Sequence, residues 1–283
     1  MIKKILIFLG IIGLSVNLYS YNIKIAVTIT PLADIVQHLI PDAEITTIIK
    51  KGQNPHLYSP TPADIKLFNK MDFFIKIGFG FENWFDKILN SIDNKRVVII
   101  DLSKSISPIM YDKKTHTANP HYWMSPASVI KCLPLIKENV IKYFPHTRKT
   151  IEKNYKLYLK QLKKLDREIK KDLKKTSKRH LIESHPILDY FARDYGLHIA
   201  GIIKTKENTN PSPQRLIKLL NAIKKYNIKY ILTAELDTKI AKNIAKESHI
   251  NIMTIDTLGS KKNRESYINL IRYNKNRIME SLK

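Results

Sequence analysis

Three of the nine histidines and one aspartate stand where loops follow short apolar segments, the places where α/β proteins build ligand sites. The histidines are His56, His121 and His185, and each lies next to a proline. The aspartate, Asp256, follows the last apolar segment of the chain. Three neutral imidazoles and one carboxylate form a nitrogen-rich ligand set that suits tetrahedral zinc, and a bidentate carboxylate extends the set to manganese or iron(II).

The same set of donors argues against other ions. Calcium and magnesium require oxygen-rich sites, and copper(I) requires thiolate or thioether ligands. The four positions are far apart in the sequence and include no close pair such as His-x-x-x-His. Spacing alone therefore leaves open whether the four side chains meet, and most of the other histidines fit structural or surface positions.

Short apolar runs alternate along the chain with helical patterns, which favours an α/β fold with mainly parallel sheets. We predict strands at 23–30, 45–49, 73–77, 97–102, 181–183, 198–203, 230–233 and 250–255. We predict helices at 33–39, 62–71, 81–91, 213–226 and 239–248, one opening after His185, and one from about residue 264. These elements place the candidate ligands in loops or at strand ends.

One long helix is predicted between the two halves of the chain, at 147–179. Apolar residues recur at spacings of three and four from Ile151 to Leu173, and no glycine or proline interrupts the segment. A coiled-coil seam is the alternative, although the apolar residues keep no strict repeat of seven. We therefore predict an N-terminal α/β lobe at 21–146, a rigid connecting helix at 147–179 and a C-terminal α/β lobe at 180–283.

The first twenty residues have the layout of a secretory signal peptide, which we predict at 1–20. Lys3 and Lys4 precede an apolar run, and Ser20 is a small residue at a suitable cleavage position. The run, at 5–16, is shorter than the roughly 20 residues that a membrane-spanning helix needs. A retained N-terminal anchor is the alternative. We expect an exported protein that is periplasmic or otherwise extracytoplasmic.

The formal net charge of +24 at first suggests nucleic acid or an anionic membrane as a partner. The lysines are spread along the chain rather than clustered, so we predict no nucleic-acid partner and contact with a membrane surface only through a permease. The single cysteine, Cys132, forms no disulfide within the chain, so the fold depends on its apolar core.

The segments around the four candidate ligands resemble motifs of the zinc/manganese solute-binding proteins of bacterial ABC importers. In chain order they are GQNPHLYSPTPADI at 52–65, FIKIGFGFENW at 74–84, NPHYWMSP at 119–126, SHPILDYFARDYGL at 184–197 and IDTLG at 255–259. The resemblance covers essentially the whole chain after the signal peptide.

This resemblance implies a metal in a cleft between the lobes. His56 and His121 would bind it from the N-terminal lobe, and His185 and Asp256 from the C-terminal lobe. The transported ligand would be Zn²⁺ or Mn²⁺, and the partners would be the permease of an ABC importer and its ATPase.

Departures from the family pattern bear on the metal. Zinc-specific members often carry a His/Asp-rich loop before the second histidine, whereas segment 112–119 holds only His116. Manganese-specific members often have Glu at the third ligand position, which is His185 here, and nitrogen favours zinc over manganese. Asn119 stands where Asp is common, and this departure affects a residue that supports a ligand without removing the ligand itself. Glu235, after a predicted strand, is either a support of the site or an exposed loop carboxylate.

Two other functions fit the same residues. Three histidines also hold catalytic zinc in hydrolases, but Asp256 would fill the open position, and the chain lacks an HExxH helix and a nucleophile elbow. The second alternative is a metal-binding surface adhesin on the same fold. Neither the fold nor the site distinguishes such an adhesin from a transport protein. We predict a solute-binding protein that is not an enzyme.

Overall fold

The computed structural model describes residues 22–112, 116–204, 211–235, 238–259 and 261–283. The predicted signal peptide at 1–20 lies outside these residues. Within them, no helix combines the length and the apolar character needed to cross a membrane.

The first half of the chain forms a four-stranded parallel sheet. Its strands are β1 (Lys24–Val27), β2 (Glu44–Thr47), β3 (Phe73–Lys76) and β4 (Val98–Asp101), in the order β2-β1-β3-β4. Helices α1 (Thr30–Leu39), α2 (Pro62–Phe68) and α3 (Asn83–Ile88) connect them. The two central strands are buried along almost their whole length, as continuous apolar runs in parallel sheets require. Pro31 lies in the first turn of α1, and the predicted strand at 23–30 therefore ends at Val27.

Two longer helices follow. Helix α4 (Pro126–Tyr143) is absent from the predicted elements, and Pro134 in its interior is a residue that normally breaks a helix. Helix α5 (Arg148–Leu173) has 26 residues and ends before the predicted limit of 179. Thr176 and Arg179 donate side-chain hydrogen bonds to the Leu173 carbonyl at 2.9 and 2.8 Å. These bonds satisfy a carbonyl at the helix end, and the helix stops without glycine or proline.

The second half of the chain forms another four-stranded parallel sheet. Its strands are β5 (His180–Glu183), β6 (His198–Ile202), β7 (Tyr230–Ala234) and β8 (Asn251–Ile255), in the order β6-β5-β7-β8. Its helices are α6 (Asp189–Tyr195), α7 (Pro213–Lys225), α8 (Lys239–Glu247) and α9 (Tyr267–Ser281). The prediction of two α/β lobes with parallel sheets and one long helix between them is confirmed.

The apolar core joins the two lobes. One cluster of buried side chains extends from the first sheet, along the inner face of α5, to the second sheet, and a second cluster lies beneath α7 and α8. Helix α5 contacts α1 and α4 in the first lobe and α9 in the second. Helix α9 also contacts α1, where the Tyr267 amide donates to Asp34 Oδ2 at 2.9 Å. The last helix therefore ties the second lobe back to the first.

Candidate metal centre

His56 lies in a short 3₁₀ turn, Pro55–Leu57, in the loop that follows β2. The Asn54 side chain caps this turn, because its Oδ1 accepts the His56 amide hydrogen at 3.0 Å. The imidazole packs edge-on against Phe81, with 5.3 Å between ring centroids. The side chain is exposed, so this ligand candidate forms the open side of the site.

His121 lies in the 3₁₀ turn before α4 and is only 4% exposed. Asn119 Oδ1 accepts two hydrogen bonds from it, from the backbone amide at 2.9 Å and from Nδ1 at 2.8 Å. Asn119 Nδ2 in turn donates to the Pro186 carbonyl at 2.9 Å and to Asp189 Oδ2 at 2.8 Å. Because the Asn119 amide must donate there, its oxygen faces His121 and the Nδ1 of His121 carries the proton. The lone pair of His121 is therefore on Nε2, the atom that lies 3.1 Å from His56 Nε2.

His185 lies in the loop after β5 and is 8% exposed. The buried carboxylate of Glu183 closes this loop by accepting the amide hydrogens of Ile187 and Leu188 at 3.1 and 2.9 Å. The ring centroids of His56, His121 and His185 form a triangle with 5.1 Å sides. One ring nitrogen from each of the three lies within 4.8 Å of the other two.

Asp256 lines the same cavity but does not belong to this group of converging ligand atoms. Its Oδ1 accepts the amide hydrogens of Leu258 and Gly259 at 3.0 and 2.9 Å. Its Oδ2 lies 3.5 Å from the Nε of Arg264. The structure thus brings three of the four predicted ligands together and pairs the fourth with a guanidinium group.

Two residues beyond the predicted ligands lie beside Asp256: Glu235, which lines the cavity, and Arg264, which contacts both carboxylates. The Glu235 carboxylate forms ion pairs with Arg264 at 3.3 Å and Lys261 at 3.0 Å, and its side chain is 21% exposed. Arg264 is missing from the predicted site residues, and no motif in the sequence marks it. His116 is exposed and lies outside the three-histidine group.

The cavity keeps one imidazole in the form that binds metals. Burial lowers the pKa of His121 well below its usual range, and repulsion from His185 and His56 lowers it further. The ring is therefore neutral at physiological pH, as metal coordination requires.

The cavity encloses about 70 Å³, whereas pockets for organic ligands have roughly 300–1,000 Å³.

The donor set fits a small transition-metal ion. Two nitrogen ligands at 2.0–2.1 Å from a tetrahedral zinc ion are roughly 3.3 Å apart, close to the 3.1 Å between the Nε2 atoms of His56 and His121. The ligand nitrogen of His185 lies within 4.8 Å of those of His56 and His121. This limit exceeds the distance between two nitrogen ligands of one zinc ion by about 1.5 Å.

Comparison with known proteins gives consistent matches. A family model described as zinc-uptake complex component A, periplasmic (ZnuA), matches residues 25–281. The zinc-binding protein AdcA of Streptococcus pyogenes is 26% identical over 260 residues, which are 84% of this chain and 50% of AdcA, so the chain spans about half the length of that relative. The iron-binding protein YfeA of Yersinia pestis is 27% identical over 256 residues, which are 88% of this chain and 82% of YfeA.

A solved structure has the same fold over almost the whole chain. The crystal structure of a ZnuA 138–173 deletion mutant with zinc bound superposes with a TM-score of 0.84 at 25% identity, covering 93% of this chain and 98% of the other. The matched family is a periplasmic component of an uptake complex and not a class of enzymes. Because the family model matches nearly the whole described chain, this protein belongs to the family of zinc-uptake complex component A, the periplasmic component.

Proposed function

We propose that this protein captures a divalent transition metal between its two lobes, outside the cytoplasmic membrane, and delivers it to an ABC importer. The observation that carries the proposal is the convergence of three imidazoles from loops of both sheets within 4.8 Å. His56, His121 and His185 are the proposed ligands in the arrangement described here. Asp256 is the proposed fourth ligand, which joins when its carboxylate leaves Arg264.

Zinc is the favoured cargo, with manganese next. Three nitrogen ligands and at most one carboxylate oxygen match the preference of zinc, whereas manganese and iron(II) favour more oxygen. The names of the relatives do not decide the matter, because AdcA is named a zinc-binding protein and YfeA an iron-binding protein.

Export and delivery complete the proposal. The signal peptide at 1–20 would send the chain across the membrane, and the released protein would begin at Tyr21. The partners would be the permease of the importer and its ATPase. The permease would contact the loaded protein, and the protein would meet the membrane surface only there.

The test begins with purified protein stripped of metal by a chelator. Zn²⁺ and Mn²⁺ are titrated separately and in competition, with binding followed by calorimetry and by the midpoint of thermal unfolding. The variants H56A, H121A and H185A each remove one proposed ligand, and H146A removes an exposed histidine outside the cavity as the matched control.

We expect one tight site per chain, tighter for zinc, that each of the three variants weakens and that H146A leaves intact. At a free metal concentration of about 1,000 times the dissociation constant, binding stabilises the native state by about 4 kcal/mol. The midpoint of thermal unfolding should therefore rise clearly. Stripped protein that gains no stability from either metal would overturn the proposal.

A further inference from the structure

One arginine contacts two carboxylates that line the same cavity as the three imidazoles. Arg264 places Nε 3.5 Å from Asp256 Oδ2 and Nη1 3.3 Å from Glu235 Oε1. Both carboxylates line the cavity. A divalent cation that uses Asp256 as a ligand therefore has to compete with the guanidinium for the same oxygen.

Asp256 has only one oxygen to offer. Its Oδ1 is engaged by the amides of Leu258 and Gly259, and the Asn274 side chain holds its backbone amide at 2.9 Å. Among the described residues, Oδ2 accepts no hydrogen bond, and it forms an ion pair with Arg264. The carboxylate is 2% exposed, so water and salt screen this attraction little.

The arginine is itself held in place. Its guanidinium lies over the Tyr273 ring at 4.1 Å from the centroid, and its side chain is 11% exposed. Gly259 adopts a φ of +66°, and a Cβ there would come within 2.6 Å of the Arg264 carbonyl oxygen. The loop therefore closes tightly enough to bring Arg264 back beside Asp256.

We infer that Arg264 determines the metal selectivity of this site by withholding the Asp256 carboxylate. The inference rests on the proposed function. Zinc is held mainly by the three imidazoles, and Asp256 adds little to its affinity as the fourth ligand because Arg264 competes for the carboxylate. Manganese needs oxygen ligands, and it recruits Asp256 only by displacing Arg264. Arg264 acts through Asp256 and is a positioning residue, not a ligand.

The test uses four variants in the purified protein: R264Q, D256N, the double variant R264Q/D256N, and R264K, which keeps the positive charge. R272Q is the matched control, because Arg272 forms an Arg–Glu pair with Glu168 on α5 at 3.0 Å, away from the cavity. Zinc and manganese affinities are measured for each protein by competition with a chelator, and circular dichroism checks folding.

We expect R264Q to shift the Mn²⁺/Zn²⁺ affinity ratio toward manganese by about tenfold or more, the size typical of changes around a metal site. D256N should abolish that gain in the double variant and change zinc affinity little in the wild-type background. R264K and R272Q should keep the wild-type ratio. A merely structural role of Arg264 would lower both affinities together and leave the ratio unchanged.

Two results would overturn the inference. One is an unchanged affinity ratio in folded R264Q. The other is a loss of zinc affinity in D256N as large as that in H185A, which alone decides the matter if R264Q does not fold. If the wild type binds neither metal, the proposed function fails first, and H56A, H121A and H185A then show no effect either.

Discussion

At the level of single residues, Asn119 is the most informative neighbour of the candidate ligands. Its oxygen accepts the Nδ1 hydrogen of His121, and its amide group donates to the loop that carries His185. One side chain thus sets the tautomer of one imidazole and connects it to the other lobe. The family resemblance marks this position only as a departure, because Asp is common there.

Replacing Asn119 by Ala should weaken zinc binding about 10- to 100-fold, because His121 loses the acceptor that orients it. Competition with a zinc chelator measures the loss. N139A is the control, since Asn139 donates to the Leu135 carbonyl within α4, away from the cavity. Equal effects of the two substitutions would contradict the assigned role.

The metal-free protein should lose stability in acid because of His121. Its pKa is lowered in the folded state, so below the unfolded value of about 6.5 the unfolded chain takes up a proton that the folded chain does not. This contribution to the free energy of unfolding is present above about pH 6.5 and falls as the pH drops, by up to about 1.4 kcal/mol per pH unit.

Chemical denaturation between pH 8 and pH 5 measures this slope. The H121Q variant lacks the group and should show a shallower decline than the wild type. H146Q replaces an exposed histidine and should follow the wild type. An identical slope for H121Q and wild type would contradict the assignment.

Among the elements, α5 carries the connection between the lobes. Its buried positions recur on one face and contact both halves of the core, so the helix is packed along its whole length and not free in solvent. The buried positions of α5 are Ile151, Tyr158, Leu162, Leu165, Ile169 and Leu173.

Replacing Leu162 by Ala should lower the free energy of unfolding by about 2–5 kcal/mol, because the side chain is fully buried and leaves a cavity. Leu157 lies on the same helix and is 53% exposed, so L157A should change stability by no more than about 0.5 kcal/mol. Urea denaturation followed by circular dichroism compares the two. Similar losses would mean that α5 does not use this face for its packing.

For the elements, apolar periodicity predicts most of the fold, because buried strands and amphipathic helices repeat their apolar residues at characteristic spacings. It does not predict where α5 ends, since the Thr176 and Arg179 side chains supply the stop from outside the helix. It also does not predict α4, in which packing against α5 outweighs the cost of Pro134.

For the whole molecule, hydrogen bonds between the lobes limit how far they separate. The Tyr267 hydroxyl donates to the Trp123 carbonyl at 2.7 Å, and Trp123 Nε1 donates to the Thr257 carbonyl at 3.0 Å. With α5 and α9 packed across both lobes, these bonds favour a single arrangement. A metal that bridges the lobes shifts their arrangement only if it binds one arrangement more tightly than another.

The radius of gyration should therefore stay the same within error when zinc is added to stripped protein. Small-angle X-ray scattering measures it, and Y267F, which removes the buried hydroxyl, should increase the difference between the two states. A clear contraction of the wild type on adding zinc would indicate a hinged closure that these contacts do not allow.

The sequence by itself determined the α/β class, the long helix between two halves of the chain, and the choice of three histidines as candidate ligands. Apolar periodicity and residue chemistry are local properties, so they can be read without the fold. Tertiary structure alone decided that those imidazoles meet while Asp256 pairs with Arg264. That pairing depends on Tyr273, Glu235 and the turn at Gly259, which come together only when β7, β8 and α9 pack. Distances between residues far apart in the chain are set by packing, and no local pattern encodes them.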